Sequence, residues 1–342
     1  MKVSILIPCH NEEDAIQACL ESCLHQTRAH DEIVVVDDGS TDRTASILEG
    51  YRGRIKIATI ANATGNKSYA QERGLHDVTG DIVVMTDGDT ILDRNFVARV
   101  VPRFADENIA AVCGYVKSID HNWLTACREI EYIIAQEITK RLQASRHAIT
   151  VIPGCAAVFR TAIFRRHVGF DHDTLTEDRD FTFKLHEARL QILYARDAIV
   201  HTQDPATLGA YVRQVRRWYG GSWQNLFKHR AMLMRAGNAA RFLSGYVIML
   251  CAALSLCIMP IFSVRASIYL ALSLCAQTLP VSLYAYLVRG RLDLIKYTPF
   301  SLITLLIRAW IFVEQFVYQI ILRKKDLVWH KPPRRPVRYP MR

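Results

Sequence analysis

Four clusters of chemically capable side chains punctuate the first two thirds of the 342-residue chain. In the first, the apolar run Val34-Val35-Val36 leads into Asp37-Asp38-Gly39-Ser40. Carboxylates at the end of a strand can accept hydrogen bonds from a nucleotide's ribose or base, and a glycine lets backbone come close; the same residues also make a common turn. The second, Val83-Val84-Met85-Thr86-Asp87-Gly88-Asp89, ends in two carboxylates one residue apart. Such a pair can face one hard cation that substrate phosphates complete. Thr176-Glu177-Asp178-Arg179-Asp180, the third, crowds three carboxylates into four positions. Crowded acids raise one another's pKa, which suits a group that must take a proton near neutral pH; capping of a helix by Thr176 or Asp178 is the competing reading. The fourth is Gln214-x-x-Arg217-Trp218. An Arg fork stabilises a departing diphosphate and an indole face is a platform for a sugar ring. The same residues could equally form a basic-aromatic helix at a membrane interface.

These side chains need a scaffold. Apolar, β-rich runs at 3–9, 32–36, 55–60 and 81–86 alternate with helix-like stretches at 12–25, 42–51 and 67–77,. Near-continuous apolar strands separated by helices predict a parallel sheet covered on both faces, with ligands at the carboxyl ends of the strands. The Asp37-Asp38 and Asp87-Gly88-Asp89 clusters fall at such ends. Farther on, the spacing predicts an amphipathic helix over 123–142, a turn at Pro153-Gly154-Cys155 and a basic-aromatic helix around 213–223,. Repeats with periods of about 20 to 50 residues are not visible, which excludes a solenoid.

Composition assigns the remainder to lipid. Half of the residues are hydrophobic and the mean hydropathy is +0.06, with the long uncharged runs placed after residue 241. Residues 242–264 and 266–288 are each long enough to cross a hydrocarbon layer, whereas 297–322 is interrupted by Arg308 and Glu314,. That third segment either spans with its charges turned inward or lies along the interface, and the side reached by the basic tail 323–342 depends on which. The expected organisation is a soluble domain with interfacial helices over 1–235, a membrane region over 236–322, and the tail. The formal net charge of +10 sits beside the apolar runs, so an anionic membrane surface rather than nucleic acid is the expected partner,. Nine cysteines without a C-x-x-C pair indicate neither a zinc site nor a disulfide framework,. The segment before the first strand is too short for a signal-peptide core, so the soluble part is expected to stay in the cytosol beneath the cell membrane,.

Taken in order, Asp37-Asp38-Gly39, Asp87-Gly88-Asp89, Thr176-Glu177-Asp178 and Gln214-x-x-Arg217-Trp218 resemble the motifs of the membrane-embedded family 2 glycosyltransferases, such as the poly-N-acetylglucosamine, chitin-oligosaccharide and hyaluronan synthases. Ile7-Pro8-Cys9-His10-Asn11-Glu12 is similar to their first-strand motif, Gly65-Asn66-Lys67 to their Gly-Lys loop, and Lys140-Arg141-Leu142-Gln143 with residues 153–160 to their acceptor-side segment. The resemblance covers roughly residues 3–225 and implies an α/β fold of the GT-A type, a Rossmann-like, mostly parallel sheet, followed by C-terminal transmembrane helices.

It further implies an inverting hexosyltransferase taking a nucleotide sugar, a UDP-sugar such as UDP-N-acetylglucosamine, to a growing β-linked saccharide. Pro8, Asn11, Glu12, Asp37, Asp38, Lys67 and Asp87 would face the donor, and Asp87 with Asp89 would hold Mg2+ or Mn2+. Asp178, beside Glu177, would be the general base; Gln214, Arg217 and Trp218 would meet the diphosphate and acceptor. Transfer of one sugar to a polyprenyl-phosphate carrier is a second reading, and a noncatalytic nucleotide-sugar-binding membrane partner a third. Two departures stand out: Gly88 replaces a common alanine, and the spans that usually precede the catalytic domain are missing. A polymer channel would then have to be built from fewer helices, or with a small partner subunit or a second copy of the chain.

Overall fold

The computed structural model describes residues 1–119, 121–235, 237–324 and 335–339, with the side chains at 257, 260, 274, 275, 277 and 278 outside the description. Its contacts divide the chain into two compact units. The first holds Met1–Lys117, Val151–Gln203 and the C-terminal residues 335–339; the second holds 118–150 and the described residues from 204 to 324. The amphipathic and basic-aromatic stretches thus cluster with the apolar helices.

The first unit is built on one eight-stranded sheet. Its strands are β1 (Val3–Cys9), β2 (Glu32–Asp38), β3 (Lys56–Ile60), β4 (Ile82–Met85), β5 (Thr90–Leu92), β6 (Ile109–Ser118), β7 (Ala157–Arg160) and β8 (Gln191–Thr202), in the spatial order β3-β2-β1-β4-β7-β6-β8-β5. Helices α1 (Ile16–Leu24), α2 (Thr44–Glu49), α3 (Lys67–Asp77) and α4 (Phe96–Val100) follow the early strands. The second unit opens with α5 (Trp123–Ile134), a π-helical segment Ala135–Lys140 and α6 (Arg141–Ser145), after which α7 (Thr161–Ile163) and α8 (Glu177–Glu187) complete the first.

β1 and β4 are buried at every position because both faces of the sheet are covered there, which is why β4 reads as an unbroken apolar run and β1 as one broken only by Ser4,. The expectation of a mostly parallel sheet holds for only half of it. β1 pairs in parallel with β2 and β4, and β2 with β3. β7 runs antiparallel to β4 and β6, and β5 antiparallel to β8, so the sheet is mixed. The antiparallel half aligns β7 so that the chain leaves the Pro153-Gly154-Cys155 turn beside the end of β4, with Ala157 opposite Met85.

The second unit is helical. Asn122 caps α5 in a reciprocal capping box with Thr125, and Thr207 caps α9 (Leu208–Lys228),. After α10 (Arg230–Leu233) come α11 (Ser244–Phe262) and α12 (Val264–Arg289), joined at Ser263, then α13 (Ser301–Phe316). Among the described residues, Ala239–Leu256 and Leu292–Ile321 lie in helices long and apolar enough to cross a membrane. The expected span 266–288 falls within the single helix α12. Of the basic tail 323–342, residues 325–334 and 340–342 lie outside the described residues.

Glu32, at the start of β2, pins three segments: its carboxylate accepts from Ser4 Oγ at 2.5 Å and Thr79 N at 2.5 Å, and pairs with Lys56. Burial alone would raise its pKa, but these donors outweigh it and hold the carboxyl down to about 2 against 4.5,. A depressed folded-state pKa gives stability that is present above pH 4.5 and lost as pH falls toward about 2,. The Glu32→Gln protein is therefore expected to melt lower at neutral pH, and with a flatter dependence of Tm on pH across that acid window, in thermal scans from pH 6 to pH 2.

Candidate active site

Beyond β1 the chain turns sharply at Asn11, whose φ of 52° lies in the left-handed region that asparagine tolerates better than most residues,. The turn is held to the loop after β2: Asn11 N donates to Ser40 Oγ at 2.9 Å, Thr41 N to Asn11 Oδ1 at 2.7 Å, and Glu12 N to Thr44 Oγ1 at 2.7 Å. Pro8 lies opposite Val36 in the β1–β2 register, directly before this zipper.

Asp37 and Asp38 divide their duties. Asp37 Oδ1 accepts from Ser40 N at 3.1 Å, which is the turn function that the sequence allowed. Asp38 accepts from Thr64 N at 3.0 Å and Thr64 Oγ1 at 2.7 Å, and so fixes the loop leading to α3. The close approach that Gly39 permits is to that same loop. At φ 64°, a Cβ on Gly39 would lie 2.5 Å from the backbone N of Ala63,.

The loop delivers Lys67 as the first residue of α3, behind the N-cap Asn66. Lys67 Nζ lies 2.5 Å from Asp87 Oδ1, at the end of β4, and 3.2 Å from Glu177 Oε1, at the start of α8. Burial opposes charging this amine, but Asp87 and Glu177 overcome that and hold its pKa above the ordinary lysine value,. A Cβ built on Gly154 would meet Lys67 Nζ at 3.1 Å, Glu177 Oε1 at 3.7 Å and Asp178 Cβ at 3.8 Å, so the 153–155 turn closes on the same point. Burial pushes the Cys155 thiol well above its ordinary pKa, reinforced by the charges of Asp87, Asp89 and Asp178 against the opposing pull of Lys67. One position thus senses all four groups. Asp38, Lys67, Asp87, Asp89, Glu177 and Asp178 all belong to the first unit.

Thr176 takes the N-cap position of α8, as the capping alternative had it, but makes no side-chain cap bond there; Glu177, Asp178 and Asp180 occupy the first turn, where the helix dipole favours acids,. Asp180 is committed elsewhere: Lys184 Nζ lies 2.9 Å from Asp180 Oδ2 and 2.9 Å from Asp171 Oδ2. Asp171, Asp173 and Asp180 could by spacing hold a cation, but Lys184 already sits among them.

Sequence reasoning passed over His172. Its ring stacks on Tyr69 at 3.7 Å, with Nδ1 2.7 Å from Ser68 Oγ and Nε2 2.9 Å from Glu72 Oε2. It clips the loop before Glu177 to the first turn of α3, and a lone histidine in a loop gives no pattern by which to find it.

Gln214, Arg217 and Trp218 share one face of α9 in the second unit. The Arg128 guanidinium lies 4.8 Å from the Trp218 ring, a cation–π contact within a buried ionic group,. Arg128 pairs with Glu131 and, at 3.2 Å, with Asp204, and Tyr211 donates to Glu131 at 3.0 Å. The buried Oε1 of Gln214 has no hydrogen-bond partner. Arg308, one of the charges that interrupt the third apolar segment, lies 3.4 Å from Glu131 and donates to Tyr219 at 2.9 Å; the other, Glu314, takes a bidentate pair from Arg216. Both charges are turned inward.

Asp87 and Asp89 offer hard carboxylate oxygens, the donors that Mg2+ and Mn2+ prefer. The donor types fit such an ion, which would have to share Asp87 with Lys67, 2.5 Å from its Oδ1.

Residues 4–168 match the profile described as Glycosyl transferase family 2. An N-acetylglucosaminyltransferase of Bradyrhizobium diazoefficiens is 31% identical over 244 residues, 66% of this chain and 50% of its own. The chain spans about half the length of the curated relatives it matches. Among solved structures, the mannosyltransferase PcManGT from Pyrobaculum calidifontis, in complex with GDP-Man and Mn2+, is 19% identical with a TM-score of 0.60 over 93% of this chain and 88% of its own. S. aureus TarS 1-349 in complex with UDP-GlcNAc is 18% identical with a TM-score of 0.53 over 93% and 92%. These likenesses give the fold, a mixed α/β sheet of the GT-A type.

Two substitutions probe this geometry. Gly39→Ala forces a strained φ and a backbone clash, so thermal or denaturant unfolding should show a loss of about 1–3 kcal/mol. Arg128→Met leaves Asp204 without its buried counter-ion and Glu131 with Arg308 alone, an expected loss of about 3–5 kcal/mol by the same measurement.

Proposed function

Through residues 4–168 the chain belongs to glycosyltransferase family 2, and we propose that it moves a sugar from a nucleotide-sugar donor, UDP-N-acetylglucosamine in the first instance, onto a saccharide acceptor at a membrane. The observation that carries this reading is the convergence of Lys67, Asp87, Glu177 and Asp178 with the Gly154 turn. The N-acetylglucosaminyltransferase relative and the UDP-GlcNAc complex of TarS support the choice of donor. The exposed apolar helices support the membrane setting, and the first unit is proposed to face the cytosol.

In this reading Asp178 takes the proton of the acceptor hydroxyl as the oxygen attacks the anomeric carbon. The bond to the nucleoside diphosphate breaks on the opposite face, so the configuration inverts. Asp178 suits the role by position: it stands at the N-terminal turn of α8, half-exposed, with Arg179 N donating to its Oδ1 at 2.8 Å. Asp38 contributes by fixing the loop through Thr64, and Pro8, Asn11, Glu12 and Asp37 by shaping the wall on which a nucleotide would lie. Lys67 brings a fixed positive charge to where a diphosphate would sit. Asp87 and Asp89 would hold Mg2+ or Mn2+, which supplies charge neutralisation for the leaving diphosphate. Gln214 and Arg217 would engage the diphosphate and Trp218 the acceptor sugar.

The test is nucleotide release by the purified full chain in detergent, scanned over UDP-, GDP- and dTDP-sugars with and without Mn2+ or Mg2+. Asp178→Asn is expected to cut turnover by about 10²–10⁴ while donor binding by calorimetry is kept. A fully active Asp178→Asn protein would remove Asp178 from the role of base.

A further inference from the structure

We infer that the chain crosses the bilayer twice, by α11 and α12 alone, that α13 lies along the membrane surface, and that the C-terminal segment therefore returns to the side of the catalytic unit. This rests on the membrane setting proposed above and fixes its topology.

The argument begins with depth. The helical stretch Leu292–Ile321, of which α13 is the middle, is long and apolar enough to cross, but from Ile307 to Gln319 it runs beside α9. Ile311 packs with Val215, Glu314 takes both pairs from Arg216, Phe312 and Phe316 lie 4.9 and 5.0 Å from Trp223, and Gln319 accepts from Gln224 at 3.0 Å. α9 carries Arg213, Arg216, Arg217 and Lys228 together with Gln214 and Gln224. A helix so charged is not carried into hydrocarbon, and a partner bonded to it at several successive turns stays at the same depth. The other side of this stretch is exposed and apolar: Ile303, Leu306 and Trp310 on α13, then Val317 and Ile321 in the π-helical turn Val317–Ile321 that continues it. Charged partners on one side and an apolar stripe with a central tryptophan on the other describe an interfacial helix.

α11 and α12, by contrast, form an out-and-back pair. They are 19 and 26 residues long, about 28 and 39 Å at helical rise, and join at Ser263,. The far end of α12 returns to the level of α5 and the segment after it, where Arg289 pairs with Glu137 and Arg291 lies 3.8 Å from Glu129. Arg235 and Arg241 stand before α11, so both open ends of the hairpin are basic, as the positive-inside rule requires of a hairpin with cytosolic ends,.

The C-terminal segment gives an independent observation. Arg335 N donates to Gln203 Oε1 at 3.0 Å and Gln203 Nε2 donates to Arg335 O at 3.0 Å; Val337 N donates to Asp14 O at 3.4 Å; and Tyr339 stacks on His25 at 5.9 Å. Gln203, Asp14 and His25 belong to the catalytic unit. A segment bonded to that unit is on its side of the bilayer, which requires an even number of crossings.

The experiment places epitopes on the full-length protein at the N-terminus, at the C-terminus and in the turn at residue 263. Their protease accessibility is then compared in right-side-out and inverted vesicles, after alkaline carbonate extraction. The expected result is retention in the carbonate pellet, with both terminal epitopes cut together in inverted vesicles and the turn epitope cut only in right-side-out ones. Termini on opposite sides overturn the inference, because α13 then crosses, while leaving the membrane setting intact. A turn epitope on the same side as the termini overturns it as well, because the hairpin then does not cross. Release by carbonate overturns the membrane setting itself, and the topology with it; nucleotide release in detergent would still report on the catalytic reading.

Discussion

A buried ammonium must have carboxylates around it or give up its charge, and Lys67 keeps its charge. That requirement joins three segments that the sequence keeps far apart: the first turn of α3, the end of β4 with Asp87, and the first turn of α8 with Glu177. Each reaches the meeting point by an unrelated local device. Asp38 and Thr64 set the loop before α3, the β4–β7 pairing brings the Gly154 turn alongside, and His172 ties the approach to α8 back onto α3. Taking away Lys67 would leave Asp87 and Glu177 without the cation between them, whereas loss of either acid leaves the amine with the other,. The acids of the site are therefore held in place by the lysine among them as much as by their own backbone.

The part of this that was legible in the sequence is the part with a local cause. Runs such as 3–9 and 81–86 read as buried strands because apolar residues dominate them, with Ser4 the one polar residue inside the first and Ile82–Met85 an unbroken apolar core in the second, and the acids that follow mark where a parallel sheet presents ligand groups,. The antiparallel half was not legible. β6 and β7 are rich in alanine, valine and small residues that suit a strand or a helix equally, and β8 alternates buried and exposed positions around Arg196 and Asp197. At the carboxylates, pattern named the residues but not their partners. Asp37 and Asp38 both looked able to meet a nucleotide, yet Asp37 accepts from Ser40 of its own turn and Asp38 from Thr64 of the loop before α3, a partner 26 positions away that local pattern does not name. The Lys67–Glu177 pair spans 110 positions, and nothing in local spacing announces it.

The second unit repeats the same physics with the signs exchanged. Here a guanidinium is the buried group, and Arg128 draws Glu131, Asp204, Tyr132, Tyr211 and the Trp218 ring around itself. The Gln214-x-x-Arg217-Trp218 face of α9 is thereby fixed to α5, whose start is set by the Asn122 capping box. The two readings offered by the sequence for this stretch, a sugar-facing motif and an interfacial helix, are compatible. One face of α9 carries the motif residues, and the rest of the helix supplies the arginines and glutamines that meet α13.

Whether an apolar segment crosses a bilayer is a property of what it packs against as well as of its composition. The helical stretch Leu292–Ile321 is long and apolar enough to cross, and its charges would count as a modest penalty against crossing if it stood alone. The helix does not stand alone: Arg308 and Glu314 answer Glu131 and Arg216, side chains fixed on helices that carry charges of their own. Moving α13 into hydrocarbon would require breaking those pairs and the Trp223 packing, or taking α9 and its arginines along. Either cost exceeds the gain from burying the stripe through Trp310 in acyl chains, because the interface already shelters most of that stripe while leaving the charged side in water. In the proposed topology, the charges that make the segment look like a poor span are the groups that hold it at the surface, beside the motif-bearing helix.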